Sequence, residues 1–439
     1  MHWTGDQVVT IQRILLSLCL LGCTAPVLSQ QTRVIDLENA DHLEGKIIDG
    51  EQARELVGNV RFRQENVRVT CDRALQYLGS GKVVLTGNVV VMDENVTMRA
   101  PRGMYYRDDR RAEAFDDVAL DDGSVKLTAR YGQYFIDPKR AFFRSQVTVE
   151  DSASVLTADS LTYFRLEKRS VAEGDVSVYN TVDHVTIKGH QLEHWSERQF
   201  TRVTQQPVLV KFDTSASGTI DTLVVHSREM ESYRDSVKRL IAIDSVEIVR
   251  GDLAGTAGRA EFFTQRDSIL LRESPVVWYE KMQVTGDSID VTLKRRKLDQ
   301  VRVVGKAFIL AESDSLWPGR FDQMTGETLV MQFADQKLER VDVQERAISL
   351  YHLYEDSSAN GANKSSGDRI VMLFEEGKLK TISVHGGVEG QYFPENLVKG
   401  KEAELAIQGF QVHAGRPKIR PDDVRPTRAY LKSLQLRKN

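Results

Sequence analysis

Two histidines four residues apart are the sharpest chemical signal in the chain. His190-Gln191-Leu192-Glu193-His194 matches the H-x-x-E-H spacing of zinc peptidases. That chemistry needs a helix, because only a helix aims residues four apart at one metal. Here the run ends on Trp195 and lies in a stretch that reads as a strand. Residues four apart on a strand share a face but stand roughly 13 Å from one another. They cannot share a zinc ion. Three acidic pairs, Asp108-Asp109, Asp116-Asp117 and Asp121-Asp122, could serve as acid/base partners or calcium ligands, yet each sits among turn formers, where Asp bonds its own backbone. There is no Gly-x-Ser-x-Gly elbow, phosphate loop or Cys-x-x-Cys pair. The reading is a protein without catalytic residues, metal or cofactor.

The elements that hold these residues repeat. Tyr77, Tyr106, Phe135 and Phe164 are 29 residues apart, and Val60, Val89, Val118, Val147 and Val176 keep the same interval. Two columns in step identify a repeat array, whose units bury their apolar faces only against neighbours. Each unit begins on a turn and a short strand: Gly58-Asn59-Val60-Arg61-Phe62, Gly87-Asn88-Val89-Val90-Val91, Asp116-Asp117-Val118-Ala119-Leu120, Gly174-Asp175-Val176-Ser177-Val178. Apolar residues alternate in it, the period of a strand with one covered face. A second strand follows, as in Val69 to Tyr77 and Leu156 to Phe164, rich in β-branched and aromatic residues.

The register loosens through Trp195, Tyr233 and Phe263, and through Val208, Val246, Val276 and Ala307. Loop insertions are expected at Glu312 to Arg320 and at the Ser-, Asn- and Gly-rich stretch Glu355 to Asp368, read as a mobile surface loop. About eleven copies fill Ile47 to about Leu405, with no linker and no helical periodicity. The expected organisation is a signal peptide over 1–29, a lead-in over 30–46, a regular array over 47–210, a looser array over 211–410 and a basic, proline-containing tail over 411–439.

The N-terminus carries Arg13, an apolar core from Ile14 to Gly22, and small residues at Val27-Leu28-Ser29, the pattern of a secretory signal. Leu21 fits poorly before Gly22 in a lipoprotein signal, so cleavage near Ser29 is preferred to lipidation at Cys23; an uncut signal would tether the chain to a membrane. After Ser29 only Cys71 remains, at a position held elsewhere by Ala100, Ala129 and Ala158, which suits a small buried side chain. A formal net charge of −4 argues against nucleic acid as the main partner. The tail, from Arg416 to Lys438, reads as flexible and solvated, or as a segment that docks on lipid phosphates or an acidic partner.

The apolar columns then face either a dry core or a groove for a greasy ligand. The Gly-Asn-Val turn-strand unit followed by Cys71-Asp72 or Ala158-Asp159-Ser160-Leu161 resembles the OstA-like (LptA-like) family of lipopolysaccharide-transport proteins, most clearly over Asp41 to Phe164. That resemblance implies an all-β fold: an elongated open β-jellyroll, or β-taco, of about eleven two-stranded repeats. It also implies a periplasmic bridge whose slot shelters the lipid A acyl chains of lipopolysaccharide, with other transport proteins or further copies joined edge to edge. Slot-lining candidates are Val60, Phe62, Val89, Val91, Val118, Leu120, Val147, Val149, Val176 and Val178, with Tyr77, Tyr106, Phe135 and Phe164. The alternatives are a secreted β-solenoid acting on carbohydrate, which would need carboxylates clustered on one sheet face, and a structural array with a dry core.

Overall fold

The computed structural model describes residues 36–436 apart from 65–66, 94–95, 124, 153, 183, 215–219, 234–237, 264, 295–296, 314–315, 335–336, 356–357 and 376–377. The signal peptide, Cys23, Arg437 and Lys438 lie outside the described residues. The chain packs as two compact units, residues 1–207 with 425–439, and residues 208–424.

The first unit is an antiparallel meander: β1 (Asp36–Asn39), β2 (His42–Ile48), β3 (Glu51–Gln64), β4 (Val67–Tyr77), β5 (Lys82–Asp93), β6 (Val96–Tyr106), β7 (Arg111–Asp121), β8 (Lys126–Phe135), β9 (Arg140–Glu150), β10 (Ser154–Phe164), β11 (Arg169–Asn180), β12 (Val185–Trp195) and β13 (Phe200–Thr204). From β2 onward each strand pairs with the next, and β1 pairs with the far half of β3. Asp49-Gly50, both at positive φ, make the two-residue turn between β2 and β3.

The Gly-Asn signal is not a turn between strands, as expected, but a bend inside one. Val57 pairs with Arg73 and Val60 with Cys71, so Gly58 and Asn59 together oppose Asp72 alone. Two residues against one is a β-bulge, which bends its strand. Both residues are left-handed, at φ 77° and 46°. The same doublet recurs at Gly87-Asn88, Asp116-Asp117, Ser145-Gln146 and Gly174-Asp175. Asp116-Asp117 is therefore a bulge within β7, whereas Asp108-Asp109 lies in the turn before β7. Apart from the Asp49-Gly50 turn, eleven such doublets occur within strands or at their junctions among the described residues, the last at Gly386-Gly387. They match the expected count of repeats.

Chemistry fixes the bulge residues. A Cβ on Gly87 would lie 2.3 Å from Asp72 Oδ2, and one on Gly174 would lie 2.4 Å from Asp159 Oδ2. Asn88 Nδ2 donates to Asp72 at 2.9 Å. Where the facing strand lacks that Asp, the doublet lacks Gly. Asp116 instead accepts from Arg102 at 2.8 Å, and Gln146 accepts from Arg130 at 3.3 Å.

The second unit holds β14 (Val208–Thr214), β15 (Ile220–His226), β16 (Glu229–Tyr233), β17 (Arg239–Arg250), β18 (Leu253–Phe263), β19 (Ser268–Arg272), β20 (Val276–Tyr279), β21 (Met282–Thr285) and β22 (Ser288–Lys294). It continues with β23 (Lys297–Glu312), β24 (Phe321–Ala334), β25 (Lys337–Glu355), β26 (Ser358–Glu375), β27 (Lys378–His385) and β28 (Glu389–Phe393). The pairing is again antiparallel, with some strands split at the bulge, so that β17 pairs with both β15 and β16, and β23 with both β21 and β22. The stretch expected as a mobile loop, Glu355 to Asp368, is mostly strand. β26 pairs with β25 along its length and with β28, and those ladder bonds override the weak β-propensity of its Ser, Asn and Gly.

The expectation of a helix-free chain with a solvated tail also fails. Two single turns, α1 (Glu395–Val398) and α2 (Glu402–Leu405), seat Val398 and Ile407 against Phe308 and Leu350 in the second unit. Residues 411–420 form neither strand nor helix, residues 421–424 turn, and side chains tie the segment down. Arg416 donates to the carbonyls of Glu280 and Asp252, and His226 Nε2 meets Asp423 Oδ2 at 2.8 Å. In the first unit, α3 (Arg428–Leu436) packs Ala429 and Tyr430 on Val155 and Tyr179.

Candidate functional site

Each bulge divides its strand into two halves, and strand register assigns their faces. After the bulge, Val60, Cys71, Val89, Ala100, Val118, Ala129, Val147, Ala158 and Val176 form one row across the first unit. Phe62, Val69, Val91, Met98, Leu120, Leu127, Val149, Leu156, Val178 and Ile187 form the next row. Before the bulge, the row Leu56, Ala74, Leu85, Gly103, Ala114, Gly132, Phe143, Leu161, Ala172 and Leu192 turns to the same interior. Both halves contribute to one apolar cluster. Ten of the fourteen expected lining residues therefore lie on the inner face: Val60, Phe62, Val89, Val91, Val118, Leu120, Val147, Val149, Val176 and Val178.

The other four do not. Tyr77 is three residues beyond inward-facing Ala74, Tyr106 three beyond Gly103, Phe135 three beyond Gly132 and Phe164 three beyond Leu161. An odd offset in a strand reverses the face. The aromatic column points outward, and cations cover it. Arg111 lies 4.2 Å from the Tyr106 ring centroid, Arg140 4.8 Å from Phe135 and Arg169 4.3 Å from Phe164, while Lys82 lies between Tyr77 and Tyr106. Such contacts stabilise by about 0.5–1 kcal/mol each at exposed sites. The signal that could have revealed this was present: Lys82, Arg111, Arg140 and Arg169 are themselves 29 residues apart.

The interior is not uniform. Around β9 to β12, Phe143, Leu156, Leu161, Tyr163 and Val178 fill it and are buried. At the first strands it is open. Leu37 pairs with Phe62, Leu43 with Leu56 and Ile47 with Gln52, so all three belong to the inner face, yet they are 43 %, 54 % and 76 % exposed. In the second unit, Ile382 shares the inner row of Met331, Val341 and Met372 and is 38 % exposed at the last rungs.

The remaining chemical candidates resolve plainly. His190 and His194 lie on β12, where His190 is exposed and His194 is buried against Thr201 at 2.9 Å. No metal-binding group of three His, Cys, Asp or Glu occurs among the described residues. Cys71 is buried in the inner row, and burial pushes its thiol up to about 11. A thiol held protonated in that way is a poor nucleophile at neutral pH. No helix among the described residues is long and apolar enough to cross a membrane.

The first unit is thus a bulged antiparallel β-array with an apolar interior. Residues 31–83 and 78–174 match the family model described as OstA-like protein. A solved structure of LptH from Pseudomonas aeruginosa, described as the LptA-homologous periplasmic component of a lipopolysaccharide transport device, aligns with 32 % of this chain and 95 % of its own. The identity is 16 % and the TM-score 0.26. No curated protein matches the chain.

Proposed function

We propose that this protein is a periplasmic, non-enzymatic carrier that shelters the acyl chains of lipopolysaccharide on its inner face. The reading rests on one observation: the inner rows that hold Leu56 and Phe62 stay apolar to the first strands of the array, where Leu43 and Leu37 stand exposed. Keeping an acyl chain out of water is worth about 0.8 kcal/mol per CH₂, so a greasy track needs no reaction to favour the lipid. The match of residues 31–83 and 78–174 to the OstA-like family model and the signal-like pattern from Arg13 to Ser29 support the same compartment and cargo. The exposed edges at β1 and β2 suit pairing with another transport protein or a second copy. The packed rungs from β9 narrow the shelter, so acyl chains enter over β2 to β8.

Photo-crosslinkers placed singly at Leu43, Phe62, Tyr106 and Arg61 test this in cells. Capture of lipopolysaccharide from Leu43 and Phe62, and not from outward-facing Tyr106 or Arg61, is the expected pattern. Equal capture from all four, or none from the inner pair, defeats the carrier reading.

A further inference from the structure

The seat of α3 is a feature of the repeat, and the array offers it a second time. On β10 and β11 the outer face after the bulge presents Val155 paired with Tyr179 and Thr157 paired with Ser177. The Tyr430 ring packs edge-on against Tyr179 at 5.0 Å, and Ala429 is buried beside Val155. At the bulge, Arg428 bridges Asp159 at 3.1 Å and Asp175 at 2.7 Å. Three repeats earlier the corresponding pairs are Arg68 with Met92 and Thr70 with Val90, and the corresponding bulge residues are Asp72 and Asn88, one carboxylate where the home seat has two. Those six residues line an open cleft of about 550 Å³.

We propose that this cleft is a docking site for the C-terminal helix, residues 428–436, of a second copy of the chain. Three observations select that occupant. The bulge geometry that Arg428 recognises is present in the cleft: Gly87 lies against Asp72 as Gly174 lies against Asp159. The Asp72 carboxylate receives the Asn88 amide and has an acceptor oxygen left for a guanidinium. Two cations line the cleft, Arg61 and Arg68, and Arg68 is turned toward Glu38 at 3.6 Å. The home seat also holds its helix imperfectly. Thr157 Oγ1 and Ser177 Oγ are buried with no hydrogen-bond partner, which penalises the docked state. The cleft carries only one of those hydroxyls, because Val90 replaces Ser177, and Met92 gives an adaptable surface where Tyr179 stands. A helix released from its own chain therefore finds in a neighbour a seat with one fewer hydroxyl to bury, and copies link through the outer face.

The test uses the full chain with a photo-crosslinker at Met92, which is 36 % exposed. Isotope-labelled and unlabelled protein are mixed before irradiation. Mixed-isotope adducts joining position 92 to peptides from residues 428–436 are the expected result. Asp72→Arg in the crosslinking copy, or Arg428→Glu in the other, should each lower that yield at least fivefold. Adducts confined to single chains, adducts elsewhere, no adduct at all, or a yield indifferent to both charge reversals would each overturn the proposal.

Discussion

Replacing Gly87 with Ala probes the feature that shapes every rung. Gly87 has φ 74°, so any side chain there takes up left-handed strain of about 1–2 kcal/mol. The new Cβ would lie 2.3 Å from Asp72 Oδ2 and 2.8 Å from both Asp72 Cγ and Cβ. The carboxylate oxygen can rotate away, but the Cβ is fixed to β4, so the strands must part. Overpacking of that kind costs about 1–3 kcal/mol, and the sum for Gly87→Ala is about 2–5 kcal/mol. Asp72→Gly removes all three clashing atoms and loses an exposed hydrogen bond to Asn88, worth about 0.5–1.5 kcal/mol. The double variant should therefore be more stable than the sum of the singles predicts, by at least 1 kcal/mol in a double-mutant cycle. Urea unfolding gives the global change, and hydrogen exchange across β4 to β6 gives the local one. Strict additivity, or a Gly87→Ala cost below about 0.5 kcal/mol on the scale where left-handed strain alone exceeds it, would refute the idea that the facing Asp dictates the glycine.

Two further outcomes follow from the second unit. Arg320 is 3 % exposed and holds Glu395 through two bonds at 2.7 and 3.1 Å, with Glu402 at 3.3 Å. Arg320→Met strips both carboxylates of their partner and should lower stability by about 3 kcal/mol in urea unfolding, with α1 and α2 losing exchange protection first; a change below about 1 kcal/mol would show that the pair does not anchor them. Acid should weaken the same unit. Arg369 holds the Asp342 carboxyl far below the usual carboxylate range, and Arg320 lowers that of Glu395. Folded values below the unfolded ones give stability that is complete above about pH 4.5 and is lost as pH falls toward the folded values. The urea midpoint should be level from pH 7 to 5 and fall below pH 4; a level profile down to pH 3 would contradict the assignment.

The period, the all-β class and the alternation around the valine column were legible because each is local: an interval and an alternation suffice. The errors arise differently. Gly58-Asn59 carries turn chemistry, and only the two-against-one register with Asp72 makes it a bulge within β3. Tyr77 and its successors have the size of core residues, yet the three-residue offset from Ala74 places them outside, where cations cover them. β26 has the composition of a loop and is a strand because β25 and β28 pair with it. The C-terminal helix has a weak pattern of its own and forms against Val155 and Tyr179. For the bulge, for β26 and for the helix the decisive partner lies on another element; for the aromatic column the offset from Ala74 decides.

The outward aromatic column bears on how the inner face can be used. A sheet that must stay open to a lipid cannot take all its cohesion from a filled interior. Here the outer face supplies part of it: Tyr106, Phe135 and Phe164 each pack under an Arg, strand after strand, without adding bulk inside. The inner row before the bulge can then be small where the array opens, with Ala74, Gly103, Ala114 and Gly132. Leu56 and Leu85 interrupt that small stretch, and beyond Gly132 the row is large at Phe143 and Leu161, inside the apolar cluster. A ring on the inner face at residue 103 would occupy the width that the small residues leave free. The same ring three residues later, at Tyr106, stiffens the leaf and leaves the interior clear. The 29-residue interval repeats that division of labour, which is why an aromatic ladder and an accommodating interior coexist in one strand.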